Sequence, residues 1–396
     1  MENQFQYLNG LQKLQKSPVA PIGLIAPPGG KALATLINAH LVKRRKELIQ
    51  ETPEYASFPG FSRENFELAC SCPHFASGEG KAILEQSIRG YDIFLITDVG
   101  NYGCTFKLYG VEHPMSPDEH FQELKRVVSV IGRMARRITV IMPYLYEGRQ
   151  DRRQLRESLS CAIALQELEN LGVSNVVTFD AHDTRVQNAV PLMGFDNLHT
   201  AYQIISALLQ HEQDLKVDRD HMMVVSPDEG AVERCLYYVN TLGLDIGLFY
   251  KRRDTTRIVN GKNPIIDHEP IHCGHLEGKD ILLVDDMLAS GESILRVAQK
   301  LKARHCGRIF VAVAFAQFTE GLDSYHKAYE EGLISRVYAT NLTYRTPELL
   351  TVPWFVDVDV SEFLAYFIDC LNRDESISAL LDNSAKIAKL LQNFRA

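Results

Sequence analysis

In the stretch "DILLVDDMLASGES", residues 280–293, the apolar run Ile281–Val284 leads straight into the adjacent acids Asp285 and Asp286, and Ser290, Gly291 and Ser293 follow. The apolar run predicts a strand buried on both faces, and "SILRVAQKLKARH" behind it carries apolar residues at helical spacing. The acids and the small residues are therefore expected in the turn between a strand and a helix. Ligands of open parallel sheets bind at such turns, where a helix N-terminus presents free backbone N–H groups. Ser290, Gly291 and Ser293 would let a phosphate approach those groups and would add hydroxyl donors. Asp285 and Asp286 would accept hydrogen bonds from sugar hydroxyls, or hold a hard cation that bridges to phosphate oxygens. A sugar phosphate suits this pattern, whereas a capped helix behind an ordinary turn would use the same residues with no ligand.

Other apolar runs end in polar clusters too. "PYLYEGRQDRR" brings Arg149, Gln150, Asp151, Arg152 and Arg153 behind "RITVIMP", and guanidinium forks suit phosphate oxygens and purine faces. "TFDAHD" sets Asp180 and His182 behind another run, as a carboxylate and an imidazole able to approach a metal or its waters. "VVSPDEG" puts Asp228 ahead of a helix, and "FYKRRDTTR" puts Lys251, Arg252 and Arg253 where a strand enters a polar loop. Taken singly, each has a plain structural use as a solvated face, a satisfied turn histidine or a cap. Together they supply acids for a metal and bases for phosphate, which is what phosphoryl transfer requires.

The elements that would position them alternate. Strands are expected at "PIGLIAP", "YDIFLITDV", "RITVIMPYL", "NVVTFDA", "HMMVVSPD", "LDIGLFYK", "DILLVDDM", "RIFVAVAFA" and "RVYATNLTY", most of them separated by amphipathic helical stretches. Such alternation implies the α/β class with parallel sheets. The 396 residues and the presence of phosphate-type turns in both halves favour two doubly wound domains over one barrel. The expected bounds are 1–200 and 201–352, with 353–396 as a strand and helices packing back on both. "PPGGK" does not qualify as a phosphate loop, because Ile25 and Ala32 stand where the motif needs glycine and a hydroxyl residue. A formal net charge of -8 without a long basic run argues against nucleic acid as a partner. No apolar stretch is long enough to cross a bilayer and no leader is visible, so a cytoplasmic protein is expected. Eight scattered cysteines, with only Cys70 and Cys72 close together, read as reduced thiols rather than as a zinc site.

The ordered set "FASGEG", "GRQDRR…RESLS", "TFDAHD", "VSPDEG", "KRR" and "LLVDDMLASGES" resembles the ribose-phosphate pyrophosphokinases, the synthetases of phosphoribosyl pyrophosphate, from about Pro21 to the helix after Trp354. The resemblance implies domains of phosphoribosyltransferase-like type, ATP and ribose 5-phosphate as substrates, Mg2+ as cofactor, and a dimer-based homo-oligomer such as a hexamer. It implies that Phe75 stacks on adenine while Ser77 and Glu79 hydrogen-bond to it, often from a neighbouring subunit, and that Arg149 and Gln150 contact ATP. His182 and Asp228 would hold the metal with Asp180 close by. Lys251 and Arg253 would come down on the transferred group as catalytic residues. Asp285 and Asp286 would bind the ribose hydroxyls, and the backbone from Ala289 through Ser290, Gly291 and Glu292 to Ser293 would wrap the 5-phosphate.

The chain departs from the family at Glu292, a carboxylate beside the expected phosphate, which would repel it unless turned away to solvent. The segment around "VQNAVPLMGFDNL" aligns only loosely, and residues 44–72 and the first twenty look like additions. A phosphoribosyltransferase would share the acid-pair loop but would not need "GRQDRR" or "FASGE". A non-catalytic regulatory homologue would be expected to lose Lys251, Arg253, His182 or Asp228, all of which are present.

Overall fold

The structure is a computed structural model that describes residues 17–153, 156–253 and 265–395. In the first domain, strands β1 (Ile22–Ile25), β2 (Asp92–Ile96), β3 (Arg137–Ile141), β4 (Asn175–Phe179) and β5 (Gly194–Leu198) lie side by side in chain order, every neighbouring pair parallel. Their central strands are runs of Ile, Val, Leu and Phe because both faces are covered. Helix α1 (Lys31–Glu51) covers one face, packing Leu33, Ile37 and Leu41 against Phe94, Ile96 and Ile141. Helices α2 (Pro117–Ile131) and α3 (Ser160–Asn170) cover the other, where Leu124, Val127 and Leu165 meet Ile93, Leu95 and Val140. Successive side chains of β2 thus enter opposite cores, as strand geometry demands. Helix α2 starts at a capping box: the Glu119 N–H donates to Ser116 Oγ, and the Glu119 carboxylate accepts from the Ser116 N–H at 2.7 Å.

The second sheet holds β6 (Met222–Ser226), β7 (Asp245–Arg253), β8 (Ile265–His272), β9 (Asp280–Leu288), β10 (Ile309–Ala316), β11 (Arg336–Thr340) and β12 (Phe355–Val358), in the order β8-β7-β6-β9-β10-β11-β12. Its pairs are parallel except β7 with β8, which form an antiparallel edge. Helices α4 (Ala201–His211) and α5 (Val232–Leu242) pack on one face, and α6 (Glu292–Lys302) and α7 (Asp323–Glu330) on the other.

After β12 the chain crosses back. Helix α8 (Ser361–Asn372) lays Leu364, Phe367 and Ile368 into the core under α1, while α9 (Ser384–Arg395) stays on the second domain through Ile387 and Leu391. The α1–α8 contact carries a buried polar cluster. Arg45 Nε lies 2.7 Å from Asp369 Oδ1, an ion contact off the hydrogen-bond line, and Arg373 donates to Asp369 Oδ2 at 2.7 Å. Asn372 accepts from Arg45 at 2.8 Å and donates to Asp92 at 2.9 Å.

The expected α/β class with parallel sheets holds, and several local expectations are corrected. "GFDNL", part of the loosely aligned segment and not among the expected strands, is strand β5; Asp and Asn hide a strand that is fixed by parallel pairing to β4. Strand β8 and helix α7 lacked a visible period, whereas β12 stands where a strand was expected after residue 353. "ISALLDNSAKIAKLLQ", expected as one helix, breaks between Ser378–Leu381 and α9. Among the described residues no helix is long and apolar enough to cross a membrane.

Candidate active site between the two sheets

A cavity of about 570 Å³ opens at the carboxyl ends of strands from both sheets. The first domain contributes Asp151, residues from Asp180 to Arg185 behind β4, and His199 and Thr200 behind β5. The second contributes Gly230 ahead of α5, Arg234 and Tyr237 on α5, Asp285 from β9 and Ala314 from β10. Parallel strands end in step, so polar residues far apart in the chain converge here.

Asp180 sits at positive φ (+41°) just past β4 and is buried. Both of its carboxylate oxygens are engaged: His199 Nδ1 lies 2.9 Å from Oδ1, and the Thr200 hydroxyl and N–H donate to Oδ2 at 2.7 and 3.2 Å. Burial alone would push this carboxyl up, but the His199 hydrogen bond and the Arg234 charge hold it below the usual range. His199 is raised in return by Asp180. His182 is half-exposed, and its Nδ1 is 2.7 Å from Oδ2 of buried Asp151. Asp228 accepts from the Gly230 and Ala231 N–H groups at 2.8 and 3.2 Å and pairs with Lys251. Burial opposes ionisation of Asp228, yet the Lys251 charge and these N–H donors hold it low.

The acid pair is not in the turn. Strand β9 runs on to Leu288, so Asp285 and Asp286 lie within its last residues, with Asp285 opposite Val313 of β10. The turn is only the short link to α6, because hydrogen bonding to β10 continues past the acids. Burial, with the Asp286 and Asp228 charges beside it, pushes Asp285 well above the carboxylate range, and Arg234 opposes this. Arg234 lies between the domains, feeling Asp286 and Asp285 of the second and Asp180 of the first, whose main-chain oxygen accepts from it at 3.4 Å.

The small-residue turn is tightly packed around Gly291. Gly291 has φ +79°, and a Cβ there would come within 2.4 Å of the Tyr325 ring, so no other residue fits without displacing it. Tyr325 closes the turn by donating to the Gly291 main-chain oxygen at 3.2 Å. Glu292 is the first residue of α6, where the helix dipole favours a carboxylate, and it is bound by Arg296 one turn on. The repulsion expected of it is thereby reduced, its charge being drawn along the helix. Ser290 Oγ accepts weakly from the Glu292 N–H at 3.4 Å, and Ala289 is tied to Thr319.

Other expected site residues stand away from the cavity lining. Phe75 is 55% exposed on a loop closed by the Phe75 N–H to the Glu79 main-chain oxygen, and Ser77 donates to Glu79 at 3.0 Å. Arg149 is exposed and Gln150 half-buried just ahead of Asp151. Lys251 and Arg253 are on β7 itself rather than on a loop; the side chain of Arg253 and residues 254–264 lie outside the described residues. Arg234 and His199, both in the cavity wall, carry no motif signal: Arg234 reads as an ordinary helix position and His199 falls in a loosely aligned segment. A hairpin of Thr105–Leu108 with Val111–Pro114 also went unseen, and it touches the Phe75 loop through the Tyr109 N–H and the Ala76 main-chain oxygen.

Among the described residues no group of three or more His, Cys, Asp or Glu side chains is arranged to hold a metal by itself. Both oxygens of Asp180 are engaged by His199 and Thr200, and both of Asp228 by the Gly230 and Ala231 N–H groups and by Lys251, while His182 Nδ1 faces Asp151.

Residues 31–172 match the family model described as the N-terminal domain of ribose phosphate pyrophosphokinase, and residues 194–337 match that of the phosphoribosyl transferase domain. The ribose-phosphate pyrophosphokinase of Pasteurella multocida is 28% identical over 310 residues, covering 77% of this chain and 89% of the relative. That of Vibrio parahaemolyticus is 28% identical over 318 residues, covering 79% and 90%. The crystal structure of phosphoribosylpyrophosphate synthetase from Mycobacterium smegmatis superposes with a TM-score of 0.69 at 20% identity, covering 89% of this chain and 99% of that one, a likeness of fold. With both domain models in tandem and relatives matched over nearly their whole length, the chain belongs to the ribose-phosphate pyrophosphokinase family.

Proposed function

We propose that the protein transfers the β,γ-diphosphoryl group of ATP to the C1 hydroxyl of ribose 5-phosphate, giving phosphoribosyl pyrophosphate and AMP. The observation that carries this reading is the shared cavity, in which Asp180 and His182 from one sheet face Arg234 and Asp285 from the other. Family membership supports it. The turn Ala289–Ser293 would receive the 5-phosphate through backbone N–H groups and the Ser290 and Ser293 hydroxyls. Asp285 and Asp286 would accept from the ribose hydroxyls, and ligand charge together with Arg234 would draw Asp285 toward its ionised form. Mg2+ bound with the nucleotide would neutralise phosphate charge as it shifts to the leaving AMP, with His182 and Asp228 as its protein contacts. Lys251, paired with Asp228, would be drawn from that carboxylate by the phosphate charge of the substrates. It would then stabilise charge on the transferred group together with Arg253.

Arg149 and Gln150 would contact the nucleotide. Phe75, Ser77 and Glu79 lie on an exposed loop outside the cavity lining, which supports adenine contacts made across a homo-oligomer. Free thiols throughout and the lack of a membrane-crossing helix among the described residues accord with work in the cytoplasm. A Glu292 carboxylate facing the phosphate would favour a non-catalytic regulatory homologue, and the Arg296 contact argues against that orientation. The test is AMP formation from ATP and Mg2+ with and without ribose 5-phosphate. AMP released only with the sugar is expected; none, from protein that still binds the sugar phosphate, would favour the regulatory homologue.

A further inference from the structure

Cys70 and Cys72 take no part in the reaction proposed above. Cys70 opens the two-residue strand Cys70–Ser71, paired antiparallel with Ile83–Leu84, and residues two apart on extended chain share a face. Both thiols are half-buried, both pack on the core of the first domain, and they hydrogen-bond to each other. The pair is asymmetric. The hydrogen bond from Cys72 holds the Cys70 thiol below its usual range, against burial and the carboxylates Glu123 and Glu85. Cys72 is pushed up by the same bond and by burial, with Arg126 opposing. Glu123 on α2 is 1% exposed, and neither of its carboxylate oxygens has a partner. Burial raises Glu123 to about 7, so near neutrality it is often uncharged and repels a nearby thiolate less. A thiolate stabilised by a neighbouring thiol and reachable from solvent is the arrangement that makes a cysteine reactive.

We infer that Cys70 and Cys72 form a redox-active dithiol that exchanges with small-molecule disulfides, and that its closure deforms the loop 73–81. The Cys70 thiolate attacks one sulfur of the disulfide; the Cys70–S bond forms, the S–S bond breaks and one thiolate leaves. Cys72 then attacks the Cys70 sulfur, and the second thiolate leaves. Two protein thiols are oxidised to one disulfide, the reagent is reduced to two thiols, and the two protons pass to them. Residues two apart on a strand lie near or beyond the Cα separation a disulfide accepts, so closure must bend the chain at Ser71. The pairing with Ile83–Leu84 then breaks at the base of the loop, which is otherwise held by the Lys81 N–H to the Pro73 main-chain oxygen. The effect on nucleotide binding rests on the reading of Phe75, Ser77 and Glu79 as base contacts; the dithiol itself does not.

The full chain would be incubated with oxidised glutathione, alkylated and digested with trypsin; residues 64–81 form one peptide holding both cysteines and no other. That peptide should lose two hydrogens, reversibly with dithiothreitol. Cys72→Ser should leave it carrying one glutathione, and Cys70→Ser should slow its reaction about tenfold. A wild-type peptide that stays reduced, or that carries two glutathiones without closing, overturns the inference, as do equal rates for the two variants. ATP binding measured on the same samples should weaken several-fold on oxidation. Unchanged affinity in protein that has formed the disulfide overturns the coupling to the loop, while reduced protein that binds no ATP speaks against the proposed function and not against the dithiol.

Discussion

Lys251 pairs with the half-buried carboxylate of Asp228, and in the proposed reaction its ammonium would leave that partner for the transferred group. If Lys251 acts chiefly on charge that develops during transfer, Lys251→Ala should lower turnover about 10²-fold or more while leaving the ATP dissociation constant nearly unchanged. Comparing steady-state kinetics with equilibrium ATP binding checks this, and an equal loss in both would make Lys251 a binding residue. Glu292 calls for the opposite expectation. Its carboxylate is tied to Arg296 and largely exposed, so Glu292→Ala should change the KM for ribose 5-phosphate by no more than about twofold. A collapse of activity in that variant would show that the carboxylate faces the ligand.

At the scale of elements, the contact of α1 with α8 ties the C-terminal segment to the first domain. Arg45 is buried and is pushed down to about 10 by desolvation, with Asp369 opposing. Asp369 neutralises both Arg45 and Arg373, so Asp369→Ala would leave two guanidinium groups in the interior with one counter-charge fewer. The expected loss is roughly 3–5 kcal/mol, read from urea denaturation. A loss below about 1 kcal/mol would mean that water reaches the cluster.

The whole molecule depends on the two sheets keeping their facing positions. Asp98, just past β2, accepts from the Tyr344 N–H at 2.8 Å and the Thr343 hydroxyl at 3.2 Å, both beyond the end of β11. Burial raises its carboxyl to about 7, against the hydrogen bonds from Gly100, Tyr344 and Thr343. A folded pKa above the unfolded one means the folded state holds the proton more tightly. The resulting stabilisation is full below about pH 4 and is lost as pH rises through about 7. Asp98→Asn should therefore flatten the fall in unfolding free energy across that window by on the order of 4 kcal/mol. Denaturant midpoints measured for both proteins along the pH range decide it, since parallel curves would show that Asp98 keeps its charge when folded.

The α/β class and most strands were legible in the sequence because strands covered on both faces must be continuously apolar, and because amphipathic helices between them repeat with their own period. The residue types at strand ends, from Asp180 and His182 to Asp285 and Asp286, were legible for the same reason: a parallel sheet exposes chemistry where each apolar run stops. Strand β5 was not, since its Asp196 and Asn197 carry no apolar signal and its place comes from pairing with β4. Nor could local pattern show that Asp180 is fully engaged by His199 and Thr200, or that Arg234 lies between carboxylates of both domains. Those depend on the directions of side chains brought together by strand pairing within the first sheet, for Asp180, and by the packing of the two sheets against each other, for Arg234.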